Sequence, residues 1–216
     1  MQTGYQALNQ LLSKNYINKE LSREKPPQKI HPKQKLKKNL RRYRIQHKVR
    51  FNKPFLRFWY RYIYPNEELI YANEIDTLIS LILDDLENFV SLTFEELSME
   101  LLKERFKKIK SIGSYWDQKV ELDILVELEN ENKIVGECKW KNSKICKKTL
   151  TSLQKKCAIA KIEANYFALF SKSGFSNELL KNKDPNILLF DLEDFKEWSE
   201  EEVYKKKEKI PYSHEF

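Results

Sequence analysis

The sequence has little of what several common chemistries require. Only four glycines occur in 216 residues, and none stands in the G-x-x-x-x-G-K frame whose backbone amides cradle nucleotide phosphates. The three cysteines, Cys138, Cys146 and Cys157, are odd in number and lack C-x-x-C spacing. With the scattered His31, His47 and His214 they make neither a zinc ligand set nor a disulfide framework. No apolar run reaches the roughly 18 residues of a membrane span. The longest, Leu78 to Leu83, ends at once on Asp84 and Asp85. The opening MQTGYQALNQ has no basic segment followed by an apolar one, so no secretory leader is expected and the expected compartment is cytoplasmic.

What is present suffices for a core: 41% of residues are hydrophobic, including twelve Phe and eleven Tyr. The length suits one ordinary domain and a smaller appendage. The net charge of +8 conceals an asymmetry, because residues 1–58 hold sixteen Lys or Arg against only Glu20 and Glu24. The remainder is left with 24 basic and 30 acidic residues, a net of −6. A basic N-terminal piece on a mildly acidic body suggests a polyanion as partner, most often nucleic acid. A solvated Lys-rich arm would have the same composition.

Along the chain, Tyr5, Leu8, Leu11 and Leu12 share one face of a short helix over residues 4–14. A loop rich in Pro and Lys follows from Arg23 to Lys38. Then Tyr43, Ile45, His47, Val49 and Phe51 alternate with Arg42, Arg44, Gln46, Lys48 and Arg50. Period two predicts a strand with one apolar and one basic face, and Arg42, Arg44, Lys48 and Arg50 become the candidate nucleic-acid contacts. Phe55, Phe58, Trp59 and Tyr62 lie at helical spacing and are expected in the core. A helix is predicted over about 67–90, and the T-x-x-E box at Thr93 and Glu96 predicts a new one running to about Lys110.

From Val120 the period changes to that of strands. VELDILVE and KIVGECKW, joined by the polar turn Glu129 to Asn132, predict a hairpin. A helix over 148–163, a strand YFALF, a short helix NELL, a strand ILLFD and a final helix from Leu192 follow, an α/β order with a mixed sheet. Strand alternation puts Glu121 and Asp123 on one face of the first hairpin strand. On the second, Glu137 and Lys139 share a face and Cys138 points the other way. Charges on otherwise apolar strands are costly unless paired or metal-bound. The set is therefore either an ion-pair cluster or a hard-cation site, with Asp123 and Glu137 as carboxylate ligands, the Cys138 carbonyl as a further one and Lys139 as the charge-stabilising group. On the preceding helix Glu95, not Glu96, falls at the edge of the apolar face and is the candidate third carboxylate. Cys138 is better read as a buried structural thiol than as a nucleophile, and Gln154 as a surface residue.

At these residues the chain resembles a known group. FLRFWYRYIYPN, FEELSMELL, IGSYWDQKVELDILVE, GECKW and FALFSKSGF are similar, in order, to domain of unknown function 234, found at the C-terminus of archaeal-type AAA+ ATPases and considered PD-(D/E)XK nuclease-like. The resemblance spans roughly residues 54–195. It implies a PD-(D/E)XK-type α/β fold, a mixed sheet flanked by helices, preceded by a partial winged helix and a helical linker. The boundaries it implies are 1–53 for the winged-helix part, 54–90 for the linker, 91–198 for the nuclease-like domain and 199–216 for a charged tail. It maps the family pattern onto Glu95, Asp123, Glu137 and Lys139, with Trp140 completing ECKW, and implies Mg²⁺ or Mn²⁺ as cofactor and no other small molecule. The ATPase part of the resemblance has no counterpart in these residues. The expectation is a metal-dependent DNA endonuclease. The alternatives are a non-catalytic DNA-binding or regulatory module working with a separately encoded AAA+ ATPase, or the remnant of such a fusion.

Overall fold

The computed structural model of the chain describes residues 3–27, 29, 31–41 and 43–208. Helix α1 (Gly4–Ser13) opens on a capping box, with the Gln6 backbone N–H donating to Thr3 Oγ1 and the Thr3 N–H to Gln6 Oε1. It leads into β1 (Ile17–Leu21), and after a long connection holding the short α2 (Lys38–Arg41), β2 (His47–Phe51) returns antiparallel, with Ile17 opposite Phe51 and Leu21 opposite His47. The strand expected over 42–51 is thus confined to its second half, and Arg42 lies outside the described residues. The partner strand ends at Leu21. Beyond it the chain leaves the ribbon to cover the edge of another strand, where the Ser22 hydroxyl accepts the Trp116 N–H and donates to the Trp116 carbonyl, and the Arg23 N–H donates to the Ser114 carbonyl.

After the ribbon come α3 (Pro54–Phe58), a π-helical turn over Trp59–Ile63, a 3₁₀ turn over Tyr64–Asn66, α4 (Glu67–Tyr71) and α5 (Ile75–Arg105). The aromatic stripe expected in the core is only half used: Tyr62 is buried and Phe58 meets it and Phe89, but Phe55 is 66% exposed. The π turn re-phases the residues after Phe58, so a stripe counted at 3.6 residues per turn drifts off the packed face.

The predicted break at Thr93 is corrected. Helix α5 runs unbroken for 31 residues, through the expected boundary at residue 90. No Gly or Pro interrupts it, and the Ser91 hydroxyl donates back to the Glu87 carbonyl, as a helix interior allows. Glu96, the other half of the supposed capping box, is held by a bidentate pair with Arg57 at 2.7 and 3.0 Å.

Strand β3 (Ile109–Trp116) stands where the helix was expected to continue to Lys110. The helix ends at Arg105, and a strand was not expected over 111–116, where apolar residues at 109, 112, 115 and 116 fit a helical spacing as readily as a strand. Then follow β4 (Glu121–Leu128), β5 (Lys133–Lys139), α6 (Lys147–Ala160), β6 (Tyr166–Ser171), α7 (Asn177–Leu180), β7 (Ile187–Phe190) and α8 (Leu192–Glu208). The sheet order is β3-β4-β5-β6-β7, antiparallel through β5 and parallel beyond it. Helices cover both faces. Phe94, Leu101 and Leu102 of α5 pack with Phe195 of α8 on Ile124, Val126, Ile134 and Phe170, while Leu150, Leu153 and Cys157 of α6 pack on Leu122, Leu125, Val135 and Leu169. Each fully buried Leu, Ile or Phe contributes about 1.5–3 kcal/mol, so these two layers fix the strands that carry the acids. Among the described residues no helix is long and apolar enough to cross a membrane.

Candidate functional site

The β3–β4 ladder slips where the first acid stands. Gly113 faces Leu125 but Tyr115 faces Leu122, so Asp123 and Ile124 together oppose the single residue Ser114. Such a bulge bends the strand and re-aims its side chains. On the other side of β4 the last ladder pair is Ile124 with Gly136. A Cβ at Gly136 would lie 3.0 Å from the Ile124 Cβ and 3.4 Å from the Phe170 ring, so only glycine lets β5 pass this close. Beyond that pair the hairpin opens, and the Asp123 Oδ2 accepts the Cys138 N–H at 2.8 Å in place of a backbone carbonyl.

Glu137 is 6% exposed, and both its oxygens are held by lysines. Lys139 Nζ reaches Oε1 at 2.6 Å and Lys156 Nζ reaches Oε2 at 2.7 Å. Glu137 and Lys139 share the α6 face of β5 as expected, and Cys138 is turned into the layer against α5. Burial opposes a charged Lys139, but the hydrogen bond and charge of Glu137, with the Asp123 charge, outweigh it and hold the ammonium above its ordinary pKa.

Asp123 and Glu95 have no such partners: among the described residues neither makes a salt bridge. Burial, then the Glu137 charge, pushes Asp123 up to about 6, against the pull of the Cys138 N–H and the two lysines. Burial, then the Asp123 charge, pushes Glu95 up to about 8, with Arg50 opposing. Glu95 therefore faces the site from α5, while Glu96 is turned to Arg57. Burial first, and Asp123 second, raises the Cys138 thiol well above its ordinary range, which leaves it inert as a nucleophile.

Sequence reasoning missed Lys156. A signal was present: α6 buries Leu150, Leu153 and Cys157. That phase puts Lys156 on the flank of the buried stripe and Lys155 opposite it.

The basic residues of the ribbon are placed otherwise than expected. Alternation holds, but the face is inverted: Val49 is 49% exposed, while Lys48 and Arg50 turn inward. Lys48 pairs with Glu121 and lies 4.4 Å above the Trp116 ring, and Arg50 pairs with Glu20. Arg44 is exposed and donates to its own strand-side neighbour, the Tyr43 carbonyl, at 3.0 Å.

The donor set tests the implied cation. Asp123, Glu137 and Glu95 offer oxygen only, the type Mg²⁺ takes, and Mg²⁺ needs no more than one or two carboxylates beside water and phosphate. Their mutual repulsion, visible in the raised Asp123 and Glu95, is what a divalent cation would relieve. Among the described residues, however, no three His, Cys, Asp or Glu side chains converge closely enough to hold a metal ion by themselves. The acids feel one another's charge while the lysines occupy Glu137. The residues fit a hard cation by chemistry, provided that at least one lysine yields an oxygen.

Residues 59–156 match the DUF234 family, described as archaea bacterial proteins of unknown function. The matched stretch holds Glu95, Asp123, Glu137 and Lys139 and ends on Lys156. No curated protein and no solved structure matches the chain.

Proposed function

We propose that the chain is a metal-dependent nuclease acting on DNA, its sheet a PD-(D/E)XK nuclease-like fold and its α1–β1–β2 part a partial winged helix. One observation carries the reading: the half-buried Asp123 lies between two further carboxylates, Glu95 and the buried Glu137, and Glu137 already claims both nearby lysines. A network built only for stability pairs its buried acids, since an unpaired one costs several kcal/mol. Acids without a countercharge, Asp123 on a bulged, opened hairpin and Glu95 on the helix facing it, are the mark of a functional site.

In this reading Asp123 and Glu137 would hold Mg²⁺ or Mn²⁺, with Glu95 as the third carboxylate and the Cys138 backbone as an additional oxygen donor. When bound, the cation supplies Lewis-acid polarisation of the scissile phosphate. The chain's own groups do the rest. The raised pKa of Lys139 keeps it an ammonium at neutral pH, so it serves as a fixed positive charge that orients the attacking water and offsets charge on the phosphate, not as the base. Asp123, tied to the Cys138 N–H, cannot swing away from the strand end.

The test is metal-dependent nicking of supercoiled plasmid by wild type, Asp123→Ala and Lys139→Ala. Wild type should nick only with Mg²⁺ or Mn²⁺, and both variants should lose at least about a hundredfold in rate, as for a group stabilising the transition-state charge. Absence of metal-dependent nicking, or equal rates in all three proteins, overturns the proposal.

The double occupation of Glu137 by Lys139 and Lys156 favours a second reading, a non-catalytic DNA-binding or regulatory module that works with a separately encoded AAA+ ATPase. That reading gains if Mn²⁺ titration calorimetry detects no binding at the site while DNA binding persists.

A further inference from the structure

Lys48 and Arg50 of β2 are turned inward, but another basic surface is not. From Lys139 through Ile162 the chain holds eight lysines and no carboxylate, inside a body that is otherwise net acidic. Two of the eight, Lys139 and Lys156, hold Glu137, and Lys147 pairs with Glu178. Lys141, Lys144, Lys148 and Lys155 are exposed, and among the described residues no salt bridge reaches them. Lys141 and Lys144 lie on the loop leaving the C-terminal end of β5, directly after the site strand. On α6, Lys148, Ser152 and Lys155 stand opposite the buried Leu150, Leu153 and Cys157, so all three point outward along one face.

We propose that this loop and the outer face of α6 are the docking surface for a nucleic-acid backbone, with Lys141, Lys144, Lys148 and Lys155 as its phosphate contacts. Cations without internal partners release counterions when they meet phosphates, which paired cations such as Lys48 and Arg50 do not. The hydroxyl of Ser152 between Lys148 and Lys155 adds the kind of neutral donor that phosphate contacts commonly include. Lys141 and Lys155 lie two and one residues along the chain from Lys139 and Lys156, so the surface borders the site, a feature an acidic peptide would not use. The inference rests on the nuclease reading for the direction of the strand. Binding itself is measured without metal and so stands or falls separately.

Fluorescence anisotropy in EDTA, from 50 to 200 mM KCl, would use a labelled DNA duplex, single-stranded DNA and an RNA hairpin of equal length. The variant Lys141→Gln/Lys144→Gln/Lys148→Gln/Lys155→Gln is compared with the charge-matched Lys107→Gln/Lys108→Gln/Lys181→Gln/Lys183→Gln and with Lys48→Gln/Arg50→Gln. All the mutated lysines of the two quadruple variants are exposed, so folding is expected to survive, and circular dichroism checks it. The first variant should lose at least about tenfold in affinity, and its slope of log K against log salt on the duplex should become shallower by about 3.6, near 0.9 for each of the four phosphates that are no longer neutralised. The other two should bind within about twofold of wild type. The nucleic acid with the steepest wild-type slope identifies the natural backbone. Equal losses in both quadruple variants, or no salt-dependent binding by wild type, overturns the surface. Plasmid nicking by the intact protein tests the nuclease reading independently of this result.

Discussion

On strand β2 of the ribbon the cations Lys48 and Arg50 are matched one to one, whereas at the opened end of the sheet the charges are not. Lys48 meets Glu121 and Arg50 meets Glu20, with side chains between 22% and 56% exposed. At the sheet, Lys139 and Lys156 both go to Glu137, and Asp123 and Glu95 are left to burial. Water screens the ribbon pairs, so each is worth roughly 0–1 kcal/mol. Inside the sheet the dielectric is lower and every charge counts for more. Lys48 and Arg50 each have a carboxylate of their own. The site retains negative charge that a proton or a cation from outside must neutralise.

Glu137 gives the largest expected effect. In Glu137→Ala, two ammonium groups that are 30% and 35% exposed lose their common anion. Breaking a buried pair from one side costs about 3–5 kcal/mol, and the lysines' partial exposure puts this case near about 3. Urea unfolding measures it. If Glu137→Ala costs no more than Glu121→Ala, the contrast between site and ribbon is void.

The next effect is a pH dependence. Glu95 has a folded pKa of about 8 against an ordinary value of 4.5. Between those values the folded state holds a proton that the unfolded state has lost, so stability falls as pH rises through this window and is flat below it. The slope is at most about 1.4 kcal/mol per pH unit. Asp123, raised from 3.8 to about 6, adds to the lower part of the window. Melting temperatures from pH 5 to 8.5 should decline in wild type and decline less in Glu95→Gln above pH 6. Millimolar Mg²⁺ at pH 8 should restore wild type more than the variant, because binding to the ionised folded form alone stabilises it. Superimposable profiles for the two proteins would sink the idea that Glu95 is the unneutralised acid.

Where the sequence was legible, one physical signal dominated. Alternation on VELDILVE and KIVGECKW placed both strands and the face shared by Glu137 and Lys139, because no other element competes for a period of two. The phase of Met99, Leu102 and Phe106 pointed Glu95 toward the sheet for the same kind of reason. What stayed hidden depended on partners distant in sequence. Thr93 and Glu96 have cap composition, but Arg57, 39 residues away, takes the Glu96 carboxylate and the helix runs on. The basic face of β2 was visible, yet which face turns inward is decided by Glu121 and Trp116, outside any local window. The bulge at Asp123 depends on the pairing of β3, a strand whose own pattern imitates a helix.

The ribbon itself supplies the smallest effect and the sharpest control. Glu121→Gln leaves Lys48 over Trp116, whose indole N–H still donates to the Gln46 carbonyl at 2.9 Å, so the ribbon keeps its seat. The loss should be below about 1 kcal/mol and should vanish near 1 M KCl, where the screening length falls to about 3 Å. The Glu137→Ala loss should largely persist at the same salt, because that carboxylate is only 6% exposed and buried pairs are screened much less. Tryptophan fluorescence during urea unfolding follows both variants by one signal, to which Trp116, under Lys48 of the ribbon, contributes. A Glu121→Gln loss that survives high salt would mean that Lys48 is held by a buried charge after all, and that ribbon and site obey the same electrostatics.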